Sequence, residues 1–379
     1  MLIGVDASRA FVAQSTGTEH YSFHIIRALI QTRGERRLRL YSRTPPPTEI
    51  GSQLPISRSV ESVVLPFPRM WTHLRLASEL WQRPPDVLFV PAHVLPLVCG
   101  VPSVVTIHDL GYLHLPDTHP RLERWYLDWS TRRHARIADR LIADSEATRR
   151  DLIQCYNADP ERIRVVYPGR DESLLPVTNR DEIERVNSRY NISGNYLLYL
   201  GTIRPRKNLS RLIEGFAHVK REMDNSVLLV LAGKPSSYSG ELARLAARLG
   251  ISDAVLFPGY IHSQDKAALL SGALGLVFPS LYEGFGLPVL EAMTCGVPVL
   301  TSNVSSLPEV AGEAAILVDP TSTQQIAQGI GRLITDTDLR QKLVAQGYQQ
   351  VEQFSWTSAA LQLWAVFEAV CGSRGKRHG

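Results

Sequence analysis

Residues 273–300 restrict the fold more than any other stretch of the chain. Ala273-Leu274-Gly275-Leu276-Val277-Phe278 reads as a short buried strand. A Gly-rich turn follows, Pro288 suits a first helical position, and Gly296 ends the helix before Val297-Pro298-Val299-Leu300 begins another strand. A strand–turn–helix–strand unit of this kind belongs to a parallel sheet, with its turn at the carboxyl end of the first strand. Ligands bind there in open α/β folds. Two carboxylates mark the place: Glu283 stands in the turn and Glu291, eight residues on, within about one turn of the helix start. Both are expected to face one crevice. The backbone N–H groups of residues 284–287, with the helix dipole, favour an anionic or polyhydroxyl ligand.

The same alternation of apolar runs and helical stretches extends along the chain and points to α/β architecture with parallel sheets. In the first half, strands are expected near residues 2–6, 37–42, 62–65, 86–91, 103–107, 140–143 and 163–167. Helices fall near 17–32, 70–82, 121–138 and 145–155, the last capped by Asp144-Ser145. Tyr167-Pro168-Gly169 breaks the pattern, and a polar stretch to about Asn195 reads as a linker. A second set then starts, with strands at 196–200, 227–232, 254–257, 274–278, 297–300 and 315–318, and helices near 208–222, 239–249, 264–271 and 288–295. At 379 residues the chain has room for two domains of ordinary size, placed at 1–180 and 190–355. Residues 356–370 form one more helix, apolar on more than one face, and residues 373–379 read as a frayed tail.

Several function classes are disfavoured. No apolar run approaches the roughly 18 residues of a membrane span, and Asp6 interrupts the first strand too early for a signal peptide, so a cytoplasmic protein is expected. Cys99, Cys155, Cys295 and Cys371 lie far apart without ligand spacing and read as reduced thiols rather than a zinc site or a disulfide framework. Residues 1–180 hold 23 Arg, no Lys and 19 acidic residues, whereas the remainder balances at 18 against 18. That modest basic excess suits an acidic substrate or an anionic membrane surface and is too small to argue for nucleic acid.

Candidate chemistry lies at strand ends. Arg206 and Lys207 follow a strand and a Gly-containing turn, where basic side chains reach an oxygen-rich anion. His108 and Asp109 follow the strand at 103–107, and His93 follows Phe89-Val90-Pro91-Ala92. Gly17-Thr18 opens a helix, as a loop near phosphates or as a plain helix start. No D-x-D pair occurs where a metal would bind. The segment from Arg121 to Arg140 is basic and aromatic. It is either a half-buried helix with its Trp residues in the core or a surface for an anionic membrane.

The ordered set of these segments resembles the retaining glycosyltransferases of family four, which have the GT-B fold. Pro279-Ser280-Leu281-Tyr282-Glu283-Gly284-Phe285-Gly286-Leu287-Pro288-Val289-Leu290-Glu291 resembles their E-x7-E motif. Leu200-Gly201-Thr202-Ile203-Arg204-Pro205-Arg206-Lys207-Asn208-Leu209 is similar to their phosphate-binding loop. Val230-Leu231-Ala232-Gly233-Lys234 and Phe257-Pro258-Gly259-Tyr260-Ile261 match the next two strand ends, and Thr106-Ile107-His108-Asp109-Leu110 and Ala143-Asp144-Ser145-Glu146-Ala147-Thr148 fit the first domain. The resemblance runs from about residue 2 to about residue 355.

It implies two doubly wound Rossmann-like domains facing across a cleft, with the helix at 356–371 packing back on the first. It further implies that Lys207 contacts the donor diphosphate. The family's usual Arg position is held by Thr202, so either Arg204 or Arg206 replaces it. Glu283 would meet donor-sugar hydroxyls, with N–H groups of Gly284, Phe285 and Gly286, and Glu291 the nucleotide ribose. Glu291 could equally be an acid that favours the helix N-terminus. His108 would lie beside the sugar, and whether it acts as a base stays open. Gly17, Thr18, Gly201, Thr202, Gly259, Tyr260, Ile261 and Leu287 complete the expected donor-binding set.

The implied reaction is metal-independent transfer with retention, by front-face departure and attack, needing no cofactor beyond the nucleotide-sugar substrate. Ile107-His108-Asp109-Leu110 and Pro205-Arg206-Lys207-Asn208 are most similar to bacterial mannosyl- and rhamnosyltransferases of surface polysaccharide assembly, which favours GDP-mannose. The acceptor would be a saccharide or lipid-linked saccharide, with peripheral membrane contact. Two rivals stand beside this: a phosphorylase or epimerase on the same fold, and a non-catalytic nucleotide- or glycan-binding subunit. Intact Glu283, Lys207 and Glu291 argue against the second.

Overall fold

Among the residues described by a computed structural model (1–12, 17–47, 51, 54, 58–92, 94–223 and 226–375), thirteen strands form two wholly parallel sheets. The chain divides into two units. Unit 1 comprises Met1–Leu113, Pro120–Gly169 and Phe354–Gly379; unit 2 comprises His114–His119 and Arg170–Gln353.

Unit 1 carries β1 (Leu2–Asp6), β2 (Arg37–Ser42), β3 (Val60–Val64), β4 (Val87–Val90), β5 (Ser103–Ile107), β6 (Arg140–Ala143) and β7 (Ile163–Val165), in the order β3-β2-β1-β4-β5-β6-β7. Side-chain alternation divides its core. Ile3, Val5, Val87 and Phe89 point to one face, under the helices Gly17–Thr32 and Trp356–Gly375, while Leu88, Val90, Val105 and Ile107 point to the other. The helix Trp356–Gly375 buries one broad face, including Ala359, Ala360, Leu363 and Val370, in this core and leaves Thr357, Leu361 and Glu368 exposed. Trp364 and Phe367 are fully buried, the Trp364 indole N–H donates to Thr32 Oγ1 at 3.0 Å, and Phe367 meets Phe89 at 5.4 Å between centroids. The helix runs on through Ser373–Gly375, which the sequence suggests are frayed; residues 376–379 lie outside the described set. The helix expected at 70–82 begins with a π-helical turn, Thr72–Leu76, entered through a left-handed Met70 (φ 53°).

Unit 2 carries β8 (Tyr196–Leu200), β9 (Leu228–Ala232), β10 (Val255–Gly259), β11 (Gly275–Phe278), β12 (Val299–Ser302) and β13 (Ala315–Val318), in the order β10-β9-β8-β11-β12-β13. Helices cover both faces, so β8, β11 and β12 are buried along their whole lengths and read as unbroken apolar runs. The connections leave β8 in one direction and β11 in the other, which makes the gap between these two strands the topological switch point.

Three long helices go beyond the sequence reading: Thr323–Thr335 and Thr337–Val351 after β13, and one in the expected linker. Residues 180–189, expected within a linker, form the helix Arg180–Arg189, capped by Asn179 Oδ1, which accepts from the N–H groups of Asp181 and Glu182 at 2.9 and 3.4 Å. Only Val186 of this helix is buried, so an apolar stripe was missing. What anchors its end is polar: Arg189 donates to both oxygens of the buried Asp265 (2.9 and 2.8 Å), and the Tyr190 hydroxyl adds a bond at 2.8 Å.

Candidate active site

The loops after β8 and β11 meet at the switch point of unit 2. Two features let them approach. Gly201 and Gly233, at the ends of β8 and β9, lie so close that a Cβ on Gly233 would run into the Gly201 carbonyl. Gly286 adopts φ 119°, closed to most side chains, and turns the chain from the loop into the helix Leu287–Thr294. The loops are then stitched together. Leu281 N–H donates to the Arg206 carbonyl at 2.9 Å. The buried Asn208, left-handed at the end of the turn Pro205–Lys207, donates through Nδ2 to the Pro279 and Pro320 carbonyls at 3.1 and 2.6 Å.

This scaffold brings Arg206, Lys207 and Glu283 together across 76 residues of sequence. Lys207 Nζ donates to Glu283 Oε1, Arg206 Nη1 donates to Glu283 Oε2 at 3.4 Å and to the Tyr282 carbonyl at 3.1 Å. Lys207 and Glu283 are only 6% and 7% exposed, and the ammonium lies 4.9 Å from the Phe278 ring centroid. Phe278 in turn stacks on Tyr199, whose hydroxyl donates to the Thr202 carbonyl at 2.8 Å. Burial pushes the Glu283 carboxyl up; the charges of Lys207 and Arg206 outweigh it and hold the group below its usual value. Two cations against one carboxylate leave this corner positively charged. Of the two arginines the sequence left open, Arg206 is the one at Glu283, while Arg204 is exposed.

The Glu283 backbone is held as firmly as its side chain. Its N–H donates to Ser305 Oγ at 3.0 Å, and Ser306 Oγ donates to the carbonyls of Glu283 and Phe285 at 3.0 and 2.7 Å. Ser305 has φ 53°, a left-handed strain of the kind that gathers at functional sites. Glu291, buried in the helix after the turn, accepts from Lys266 Nζ at 2.7 Å. Burial opposes the Lys266 charge, but Glu291 outweighs it and raises the Lys266 pKa. Nearby Cys295 is a buried free thiol, pushed up to about 12 chiefly by burial. Lys266, Ser305 and Ser306 were missed in the sequence, and Asn208 was read there only as part of the phosphate-binding loop. Of the first three, Lys266 alone left a signal there, as a lone basic residue in the helix that follows Gly259-Tyr260-Ile261.

The other expected site residues are dispersed. Gly201 and Thr202 border Arg206 in the same loop. Gly284, Phe285, Gly286 and Leu287 continue from Glu283 into the helix, with Phe285 buried. Gly259, Tyr260 and Ile261 end β10, two strands out from β8: Gly259 is left-handed (φ 82°), Tyr260 is partly exposed and Ile261 is buried.

His108, Gly17 and Thr18 belong to unit 1. Gly17 and Thr18 are the first two residues of the helix Gly17–Thr32. His108 stands at the end of β5 with both ring nitrogens engaged by acceptors, Nδ1 by Asp144 Oδ2 at 2.5 Å and Nε2 by the Pro91 carbonyl at 2.8 Å. Nε2 therefore donates to the Pro91 carbonyl, and an ionised Asp144 draws a proton to Nδ1 as well. Burial works against the imidazolium, and the Asp144 carboxylate and Pro91 carbonyl overcome it, raising the pKa. Two acceptors around the ring favour its protonated form. His93 lies outside the described residues.

Comparison with known proteins gives this site a family. The family model described as Glycosyltransferase Family 4 matches residues 15–174, and that described as Glycosyl transferases group 1 matches residues 180–350. The chain is 33% identical over 261 residues to O-antigen chain mannosyltransferase B of Escherichia coli, covering 69% of this chain and 68% of that protein. It is 31% identical over 351 residues to MMP alpha-(1->4)-mannosyltransferase of Mycolicibacterium hassiacum, covering 86% and 81%. Among solved structures it is similar to Anabaena Alr3699/HepE in complex with UDP and glucose, with a TM-score of 0.75 and 19% identity over 97% of this chain and 99% of that one. That likeness assigns the GT-B fold. With both halves matched in order, and most of a named transferase aligned at this identity, the chain belongs to glycosyltransferase family 4 and is a hexosyltransferase.

Proposed function

We propose that the protein transfers mannose from GDP-mannose to a saccharide or lipid-linked saccharide acceptor, with retention and without a metal, in surface polysaccharide or glycolipid synthesis. The observation that carries the reading is the net positive corner formed by Lys207 and Arg206 around Glu283 at the switch point of unit 2. Charge-assisted bonds from these two side chains suit a diphosphate whose negative charge grows as it departs. The diphosphate competes with Glu283 for both cations, so donor binding releases the carboxylate to the sugar hydroxyls. As the bond from the anomeric carbon to the phosphate oxygen breaks, the acceptor oxygen attacks on the same face and its proton passes to that phosphate oxygen. We infer that Lys266 and Glu291, joined at 2.7 Å, hold the ribose.

The mannosyl donor is supported by the two relatives, each named a mannosyltransferase. We assign the acceptor to unit 1, where His108 would act through the positive charge its ring favours, both ring nitrogens being engaged by Asp144 and Pro91. No helix among the described residues is long and apolar enough to cross a membrane, and contact with the inner face of a cell membrane from the cytoplasm belongs to the proposal. The test is transfer from GDP-mannose to mannosylated oligosaccharides with EDTA present, the product read by NMR for anomeric configuration. Retained configuration with Glu283→Ala inactive is expected. Transfer that survives Glu283→Ala, or that needs added metal, overturns the reading.

A further inference from the structure

The helix Arg121–Ile137 presents its apolar stripe outward. Leu122, Trp125, Tyr126 and Trp129 share one face by their spacing, yet the buried side consists of Ser130, Thr131, His134 and Ala135. Leu122 is 84% and Trp125 64% exposed, so of the two readings the sequence left open, the one that places these side chains in the core is excluded for them. The stripe faces an open groove of about 570 Å³ in unit 1, whose other walls are Met70, Trp71 and Leu97.

Two local devices shape that groove. Met70 is left-handed, unusual for a long side chain, and leads into the π-helical turn Thr72–Leu76; both features mark functional positions more often than plain scaffold. Across from it, Arg133 donates to the carbonyls of Pro96 and Leu97 at 2.8 and 2.7 Å and fixes the loop that carries the exposed Leu97 and Val98. The rim is basic. The helix carries five arginines against Glu123 and Asp128, and Asp128 already accepts from the Tyr156 hydroxyl at 2.8 Å and from Arg132 at 3.4 Å. In the helix that follows Thr72–Leu76, the buried Glu79 is matched by Arg75 and Arg83, each at 3.2 Å.

Exposed Trp and Tyr in a continuous patch, on a helix whose arginines outnumber Glu123 and Asp128, fit an interface that is apolar at depth and anionic at its surface. We propose that this face of unit 1 docks on a bilayer containing anionic phospholipid, with the groove taking hydrocarbon from the lipid. This deepens the membrane contact of the proposed function, and its test needs neither donor nor acceptor.

The full chain is sedimented with vesicles of phosphatidylcholine alone or mixed with phosphatidylglycerol, and Trp emission is followed. Partition to the mixed vesicles with a blue shift is expected, and little to phosphatidylcholine alone. Arg121→Gln with Arg136→Gln, both exposed, weakens partition by about fivefold per arginine. Leu122→Ser with Trp125→Ser abolishes it while the thermal midpoint and GDP titration stay unchanged, as suits exposed positions. Vesicle binding indifferent to both variants, or absent in the unmodified protein, overturns the proposal. So does self-association lost in the Leu122/Trp125 variant without vesicle binding, which would make the patch a contact between copies. Vesicle binding without GDP binding would leave the docking face standing and sink the donor assignment instead.

Discussion

Lys207→Met tests the electrostatic core of the site. In the folded protein Glu283 is buried and kept ionised by Lys207 and Arg206, with Lys207 the larger influence. Removing Lys207 leaves the buried carboxylate undercompensated, with Arg206 alone at 3.4 Å, a loss of about 3–5 kcal/mol. For a unit of this size that lowers the melting temperature by about 6–20 °C. The pH dependence also changes sign. In the natural protein the lowered Glu283 pKa contributes stability that is present above the unfolded carboxyl value and lost as pH falls through the folded one. Without Lys207, burial prevails and raises the pKa, so stability is lost as pH rises above the unfolded value and recovered on acidification. Calorimetric scans at pH 7 and pH 5.5 should show the variant's deficit narrowing at the lower pH. Adding Glu283→Gln to Lys207→Met should restore most of the midpoint. A Lys207→Met protein with an unchanged midpoint, or a deficit that grows at pH 5.5, would refute the reasoning.

Other consequences follow from the same geometry. Phe367→Ala, which empties a fully buried position beside Phe89, should cost about 3–5 kcal/mol in denaturant unfolding; a loss below ~1 kcal/mol would mean the helix Trp356–Gly375 is not part of that core. His134 is buried, accepts from Leu95 N–H through Nε2, and is pushed down to about 4 chiefly by burial. Its lowered pKa contributes stability above its unfolded value that drains away as pH falls toward 4, about 3 kcal/mol in all. His134→Gln should flatten that acid limb, and an unaltered limb would assign it elsewhere. Gly233→Ala should disrupt the close approach to Gly201 and weaken GDP binding together with stability; native affinity in that variant would show that the loops adjust independently.

Much of this site could be read in the residues because parallel-sheet strands are short, apolar and separated by Gly and Pro. The segments around β8 and β11 carried their turn chemistry openly. The union of Lys207 with Glu283 was not legible from spacing, since it depends on β8 and β11 becoming neighbours across 76 residues. The helix Arg180–Arg189 escaped notice because capping and ion pairs, rather than an apolar stripe, hold it in place. Periodicity found a stripe on Arg121–Ile137 but could not give its direction, because a spacing rule is blind to whether the face meets a core or a solvent. His108 shows the converse: its place at a strand end was readable, while the two acceptors that fill its ring nitrogens come from Pro91 and Asp144.

Calorimetric titration with GDP, UDP and dTDP in metal-free buffer addresses the nucleotide-diphosphate site built by Lys207 most directly. GDP should bind, and Lys207→Ala should weaken it by about 1.5–3 kcal/mol, the range for hydrogen bonds to charged groups. No heat with any of the three nucleotides, or equal GDP affinity in Lys207→Ala, would contradict that assignment.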